Sequence, residues 1–292
     1  MNITETLAQD LVAAQFPEWR HLPVEAVRIQ GHDNVTFRLG RELSIRLPTD
    51  TLYAMHVPAE HEWLPRLGQH LPLPIPEPVG RGAPGPGYPW PWSVNRWIEG
   101  DTASGDRIRD MSVFARDLAG FLNALQTIDA DGGPVPGREN FFRGGDLSVY
   151  ENETHHSIEH ASPWIDADVA REVWASAVQT PADELPVWIH GDVAAGNLLV
   201  RDGRLCAVID FGQLAVGDPA CDLTIAWTFF HGTSRTTFQK AMHVSGPAWR
   251  RARGWALWKA LLTFLHSTDP VVQRAAENVI HDVVLEHHEH EG

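Results

Sequence analysis

The chain is poor in cysteine, in long apolar runs and in basic residues, and each shortage removes a class of protein. Cysteine occurs only at positions 206 and 221 of the 292 residues, without the CxxC-type spacing of a metal site. So few cysteines give no disulfide scaffold and fit a reducing compartment. The longest apolar stretch, 254–266, is short and is interrupted by Lys259, so no segment reads as membrane-spanning. Residues 1–19 contain Glu5 and Asp10 and lack a basic region followed by an apolar one. They do not read as a signal peptide, and a cytoplasmic location is expected. Lys and Arg total 23 against 38 Asp and Glu, a formal charge of −15, which argues against a nucleic-acid partner because phosphate backbones attract basic clusters. There is no low-complexity tract and no internal repeat.

What remains is an ordinary globular composition, 43% apolar and 21% charged, on a chain long enough for one large domain or two modest ones. Leu7, Leu11, Val12 and Phe16 recur at helical spacing. Strand-like runs follow at 27–30, 34–39 and 43–47, the last two flanking Gly40-Arg41-Glu42 as a hairpin turn. A helical pattern over 58–70 carries Trp63, Leu64 and Leu67 on one side, and Pro65 within it should end or kink the helix. Pro- and Gly-dense sequence from 72 to 91 reads as turns and extended segments, and 92–98 as a strand. Beyond this point the patterns are mostly helical, at 107–125, 166–178, 224–230, 249–265 and 271–285. A single hairpin, 197–201 and 205–209, turns on Asp202-Gly203. The chain therefore divides into a small sheet-rich part, 1–97, and a larger, mainly helical part, 98–292.

The chemistry is concentrated between Trp188 and Leu223. An apolar approach, Val187-Trp188-Ile189, delivers His190-Gly191-Asp192 into a loop. Asn197 follows five residues after Asp192, and Asp210 ends the return strand of the hairpin ahead of Phe211-Gly212. A loop carboxylate such as Asp192 can orient an incoming hydroxyl and accept its proton. Mg²⁺ prefers hard oxygen ligands and takes few of them from protein, and Asn197 and Asp210 offer two. Asp222 alone reads as the N-cap of a helix beginning near Leu223.

With these residues in this order the chain resembles the aminoglycoside/macrolide phosphotransferase family, relatives of protein kinases. The likeness rests on His190-Gly191-Asp192, Asn197, Ile209-Asp210-Phe211-Gly212 and the run from Gly217 through Asp218, Pro219 and Asp222 to Leu223. It extends to Asn34-Val35-Thr36-Phe37-Arg38-Leu39-Gly40, Ser44-Ile45-Arg46-Leu47-Pro48, Asn140-Phe141-Phe142-Arg143-Gly144-Gly145 and Arg253-Gly254-Trp255-Ala256-Leu257. The resemblance implies an α+β, two-lobed, protein-kinase-like fold with a sheet-rich N-terminal lobe and a larger helical C-terminal lobe. It makes Asp192 the catalytic base, Asn197 and Asp210 the Mg²⁺ ligands, and His190 and Asp222 structural supports of the catalytic loop. Arg46 would hold the phosphates of ATP or GTP, paired with Glu60, with Glu62 as a competitor. Backbone groups at Asn95, Arg96 and Trp97 would meet the base of the nucleotide.

The expected activity is transfer of a γ-phosphoryl group to a hydroxyl of an aminoglycoside-like antibiotic. The acidic composition suits a cationic acceptor, with Asp146, Glu151, Glu153 and Glu159 as an acidic rim. Alternatives are a macrolide, another antibiotic or a hydroxylated amine or sugar metabolite as acceptor, and a nucleotide-binding protein without transferase activity. Trp174, Trp227, Trp255 and Trp258 fall at helical positions that suit core packing. The run Glu286-His287-His288-Glu289-His290 reads as a solvated tail rather than a metal site.

Overall fold

A computed structural model describes residues 2–28, 30–182 and 185–291, with the side chains of 290 and 291 left out. The N-terminal part comprises α1 (Glu5–Gln15), β1 (Val24–Ala26), β2 (Asn34–Leu39), β3 (Leu43–Pro48), α2 (Thr51–Ala54), α3 (His56–Leu67), β4 (Pro78–Gly82) and β5 (Trp92–Arg96). The C-terminal part follows with β6 (Asp101–Thr102), α4 (Met111–Gln126), α5 (Glu151–Ala161), α6 (Ala167–Gln179), β7 (Val187–Ile189), β8 (Leu198–Arg201), β9 (Arg204–Val208) and β10 (Ala215–Gly217). It closes with α7 (Ile225–Thr228), α8 (Gly232–Met242), α9 (Gly246–His266) and α10 (Pro270–Glu291).

The N-terminal strands form one antiparallel sheet in the order β1-β2-β3-β5-β4. Phe37, Leu39, Ile45, Leu47, Trp92 and Val94 form its buried face, against Ala8, Leu11 and Val12 of α1. Alternation along each strand sends these residues to one side, and burying each large apolar side chain contributes about 1.5–3 kcal/mol. The expected strand at 27–30 lies instead at Val24–Ala26, with Ile29 outside the described residues. Pro65 lies inside α3, which ends at Leu67. Trp63, Leu64 and Leu67 join the larger C-terminal core, with the Trp63 and Trp188 rings 4.9 Å apart, so α3 ties the two parts together.

In the C-terminal part, α4 begins at Met111 rather than 107 because the Asp110 side chain caps it, accepting from the Ser112 and Val113 amides. The β8–β9 hairpin turns through Asp202 and Gly203, both with positive φ, 54° and 77°, as a two-residue hairpin turn requires. Helix α9 is buried on nearly every face, against α5, α6 and α10. Trp174, Trp227, Trp255 and Trp258 are all core residues. The C-terminal run continues α10 and is solvated only in part, at His288 and Glu289. Glu286 accepts from the indoles of Trp227 and Trp249, and His287 is buried. Among the described residues no helix is long and apolar enough to cross a membrane.

Candidate active site

Strand β7 ends at Ile189 and the chain turns into His190, Gly191 and Asp192. The carboxylate of Asp222 is fully buried and accepts from the backbone amides of His190 (2.7 Å) and Gly191 (2.8 Å). It is therefore a clamp on this loop and not an N-cap. Asp222 lies inside a short 3-10 helix, Pro219–Thr224, which Asp218 caps by accepting from the Ala220 amide, and Asp218 also pairs with Arg251 at 2.7 Å. Gly191 has φ 83°, and a Cβ there would lie 2.3 Å from the Gln213 carbonyl, so both conformation and space require glycine. His190 is fully buried. Its Nε2 donates to the Ile209 carbonyl (2.9 Å), while its Nδ1 accepts from the Asp192 amide (3.2 Å). Its ring thus joins the Asp192 loop to the strand that delivers Asp210.

Ile209 completes the link by donating its amide to the Asn197 carbonyl at 2.8 Å. Asn197 Nδ2 in turn donates to the Asp192 carbonyl (2.9 Å) and carboxylate (3.1 Å). With Nδ2 committed, the free group of Asn197 is its amide oxygen. Asp210 takes a left-handed conformation, φ 68°, a strained choice for a non-glycine residue, and its side chain stays partly exposed. An amide oxygen and a carboxylate are the hard donors that Mg²⁺ selects, so the residues present fit that ion. Bound there, it would neutralise phosphate charge.

From the N-terminal sheet, Arg46 reaches Glu60 (3.2 Å) and Asp210 (2.6 Å). Burial alone would lower the Arg46 pKa, but the two carboxylates outweigh it and the net shift is upward. Glu62 pairs instead with Arg66 on the surface. Asp33, in the turn ahead of β2, has its pKa raised by burial, then by the nearby charges of Asp210 and Asp192. At the strand junction Asn95 is buried. The amides of Arg96 and Trp97 donate to the Glu77 and Glu42 carbonyls (2.9 and 2.8 Å), so neither is free to meet a base.

On the opposite side of Asp192, Lys259 of α9 brings its ammonium 2.6 Å from the carboxylate. Burial would raise the Asp192 pKa, but Lys259 overrides it and the value falls to about 2. Arg143 stands nearby, its guanidinium 4.5 Å over the Trp258 ring and its Nε donating to Gln213 (2.6 Å). The sequence shows Lys259 only as the charge that interrupts an apolar run. That was the available signal, since a lysine on a buried helix needs a partner. Arg143 lay within a stretch noted for its family likeness, with no role attached. Of the expected acidic rim, Asp146 caps a helical turn at Ser148, Glu151 lies 3.7 Å from His155, and Glu153 accepts from the Trp258 indole.

Two lobes, a clamped loop carrying a carboxylate, and an amide–carboxylate pair beside a buried arginine define a kinase-like phosphotransferase. The chain belongs to the phosphotransferase enzyme family, whose sequence pattern matches residues 25–255. Its fold is shared with solved structures at low identity. The GDP complex of aminoglycoside 2'-phosphotransferase-IIIa superposes with a TM-score of 0.73 at 19% identity, over 97% of this chain and 99% of that one. The streptomycin–ATP complex of APH(2")-IIa gives 0.60 at 18%, over 98% and 97%. Macrolide 2'-phosphotransferase MphH from Brachybacterium faecium gives 0.59 at 20%, over 94% and 97%. No curated protein matches the chain.

Proposed function

We propose that the protein transfers the γ-phosphoryl group of ATP or GTP, bound with Mg²⁺, to a hydroxyl of a small-molecule acceptor. The observation that carries this reading is the joining of Asp192, Asn197 and Asp210 by the hydrogen bonds of His190 and Ile209. Asp192 orients the acceptor hydroxyl and takes its proton. The acceptor oxygen bonds to the γ-phosphorus, the bond from that phosphorus to the β–γ bridging oxygen breaks, and the nucleoside diphosphate leaves with the bonding pair. Asn197 and Asp210 would hold Mg²⁺, and Arg46, steadied by Glu60, would face the phosphates. Residues 1–97 serve as the nucleotide lobe and 98–292 as the catalytic and acceptor lobe, in a cytoplasmic enzyme.

An aminoglycoside-like antibiotic is the acceptor to which the sequence points. Aminoglycosides and macrolides are the substrates for which the neighbouring structures are named, and both belong at the head of an acceptor panel. A nucleotide-binding protein without transfer activity has no use for the clamped base, which argues against that alternative. Calorimetry of ATP and GTP, with and without Mg²⁺, tests the assignment. Asp210→Ala should abolish the Mg²⁺-dependent part of the affinity because it deletes the anionic ligand. Unchanged metal-dependent binding would make Asp210 a turn residue only.

A further inference from the structure

The reacting carboxylate stands beside two cations, and only one of them is spent on it. Lys259 is paired with Asp192. Arg143 meets the Gln213 side chain, the Trp258 ring and the Tyr150 hydroxyl, and among the described residues no carboxylate forms an ion pair with it. Its position is built rather than incidental. Phe141 and Phe142, immediately before it, both take left-handed conformations, φ 53° and 57°, and two such non-glycine residues in succession persist only where the surroundings hold them. Asn140 does so by bonding the Gly137 amide (2.8 Å) and the Val135 carbonyl (2.9 Å), and Tyr150 by donating to the Phe141 carbonyl. Gly144, directly after Arg143, is pinned in turn, its carbonyl accepting from the Asp218 amide at 2.7 Å.

We infer that Arg143, together with Lys259, forms a subsite for an anionic group on the acceptor, a carboxylate or a phosphate close to the hydroxyl that is phosphorylated. This rests on the phosphotransferase reading and narrows its acceptor. A guanidinium presents a planar fork of donors that matches carboxylate and phosphate geometry, and here its face is fixed on an indole, which lowers the cost of ordering it. The anion also gives Lys259 a second partner while Asp192 engages the hydroxyl. A polycationic acceptor meets the reverse situation, since its ammonium groups must approach two fixed positive charges to reach Asp192. The acceptor therefore differs from the aminoglycoside expected from the sequence, while the transfer chemistry is unchanged.

The test uses matched acceptors: glycerate, glyceramide and 3-amino-1,2-propanediol, with glycerol phosphate as the phosphate arm and kanamycin as the polycation. Two readings are taken on the full chain. One is nucleoside diphosphate release with saturating Mg²⁺ and ATP. The other is the thermal shift of the complex with Mg²⁺ and a non-hydrolysable ATP analogue. Glycerate or glycerol phosphate should exceed its uncharged or amino counterparts by about 10–100-fold in kcat/KM or apparent affinity, the worth of a charged hydrogen-bonded pair. Arg143→Met should erase that preference through KM, and Arg143→Lys should retain part of it. The inference is overturned if no anionic member outperforms its counterparts in either reading, if kanamycin is preferred, or if the preference survives Arg143→Met. It is equally overturned if Arg143→Met lowers kcat alike for every acceptor, which would place the cation on the transferring phosphoryl group. Absence of Mg²⁺-dependent nucleotide binding in the unaltered protein would instead reject the phosphotransferase reading itself.

Discussion

Around Arg46 the cleft sets three carboxylates, Asp33, Glu60 and Asp210, about one guanidinium. Around Asp192 it sets two cations, Lys259 and Arg143, about one carboxylate. The two ends thus carry opposite excess charge in a protein whose formal charge is −15, so total charge is a poor guide to what either end binds. A surplus of carboxylates suits a phosphate donor that arrives with a divalent cation, because the metal compensates both the protein and the phosphates. A surplus of cations beside the base suits an acceptor that brings its own negative charge. Asp192 lies at the boundary, held through one oxygen by Lys259 and through the other by Asn197.

The most severe way to break the comparison is to remove the boundary residue. Asp192→Asn keeps the shape and the Asn197 contact region but removes the proton acceptor and the partner of Lys259. Turnover should fall by roughly 10²–10⁴-fold, while Mg²⁺–nucleotide affinity, set at the other end, stays within about twofold. Steady-state kinetics beside calorimetry would show this. A parallel loss of nucleotide affinity would mean that the two ends are not separable.

How much of this was legible in the sequence depends on distance along the chain. Asp192, Asn197 and Asp210 lie on one loop and one hairpin, so short spacings and the turn chemistry of Asp202-Gly203 are enough to bring them near one another. The five-stranded sheet could be read for β2, β3 and β5, whose apolar residues alternate. Strand β4, Pro78–Gly82, was hidden in Pro- and Gly-dense sequence. Helix α5, Glu151–Ala161, was hidden because its buried positions are mostly small or polar, Thr154, Ser157 and Ala161 beside Ile158, and leave no apolar stripe. Arg143 and Lys259 were not readable as a pair, since their convergence on Asp192 depends on how α9 packs in the core. The same packing made the C-terminal helix part of the body, through Glu286 and two indoles.

A smaller effect tests the acceptor end through stability. Asp192 has a native pKa of about 2, below its ordinary value of 3.8. A carboxylate depressed in the native state adds stability that is present above the unfolded pKa and is lost as pH falls through the native one. Asp192 is about a quarter exposed, 26%, so after allowance for solvent screening the contribution is roughly 1–2 kcal/mol. Lys259→Met should therefore lower the stability by that amount at pH 7, with the gap to the unaltered protein narrowing below about pH 4 and closing as the pH falls through about 2. Urea unfolding at several pH values measures it. A gap that does not change with pH would assign the loss to packing of the lysine stem on α9.

The smallest effect concerns Asp33, at the donor end. Burial, Asp210 and Asp192 all push its carboxyl above the ordinary value, so the charged form is held against repulsion. A carboxyl raised in the native state binds its proton more tightly there than in the unfolded chain, and stability falls as pH rises through the raised value. Asp33→Asn removes that cost, and it also removes one negative charge from the approach of a triphosphate. Without Mg²⁺ the variant should bind ATP about 2–5-fold more tightly, a modest gain because the cleft is open to screening ions. With saturating Mg²⁺ the gain should shrink, since the metal already compensates the carboxylates. Calorimetry under both conditions separates two roles for this residue. Tighter binding without metal identifies Asp33 as a repulsive charge that makes the donor end dependent on Mg²⁺. Weaker binding with metal, and no change without it, would make Asp33 a third ligand of the ion and extend the metal site into the N-terminal sheet.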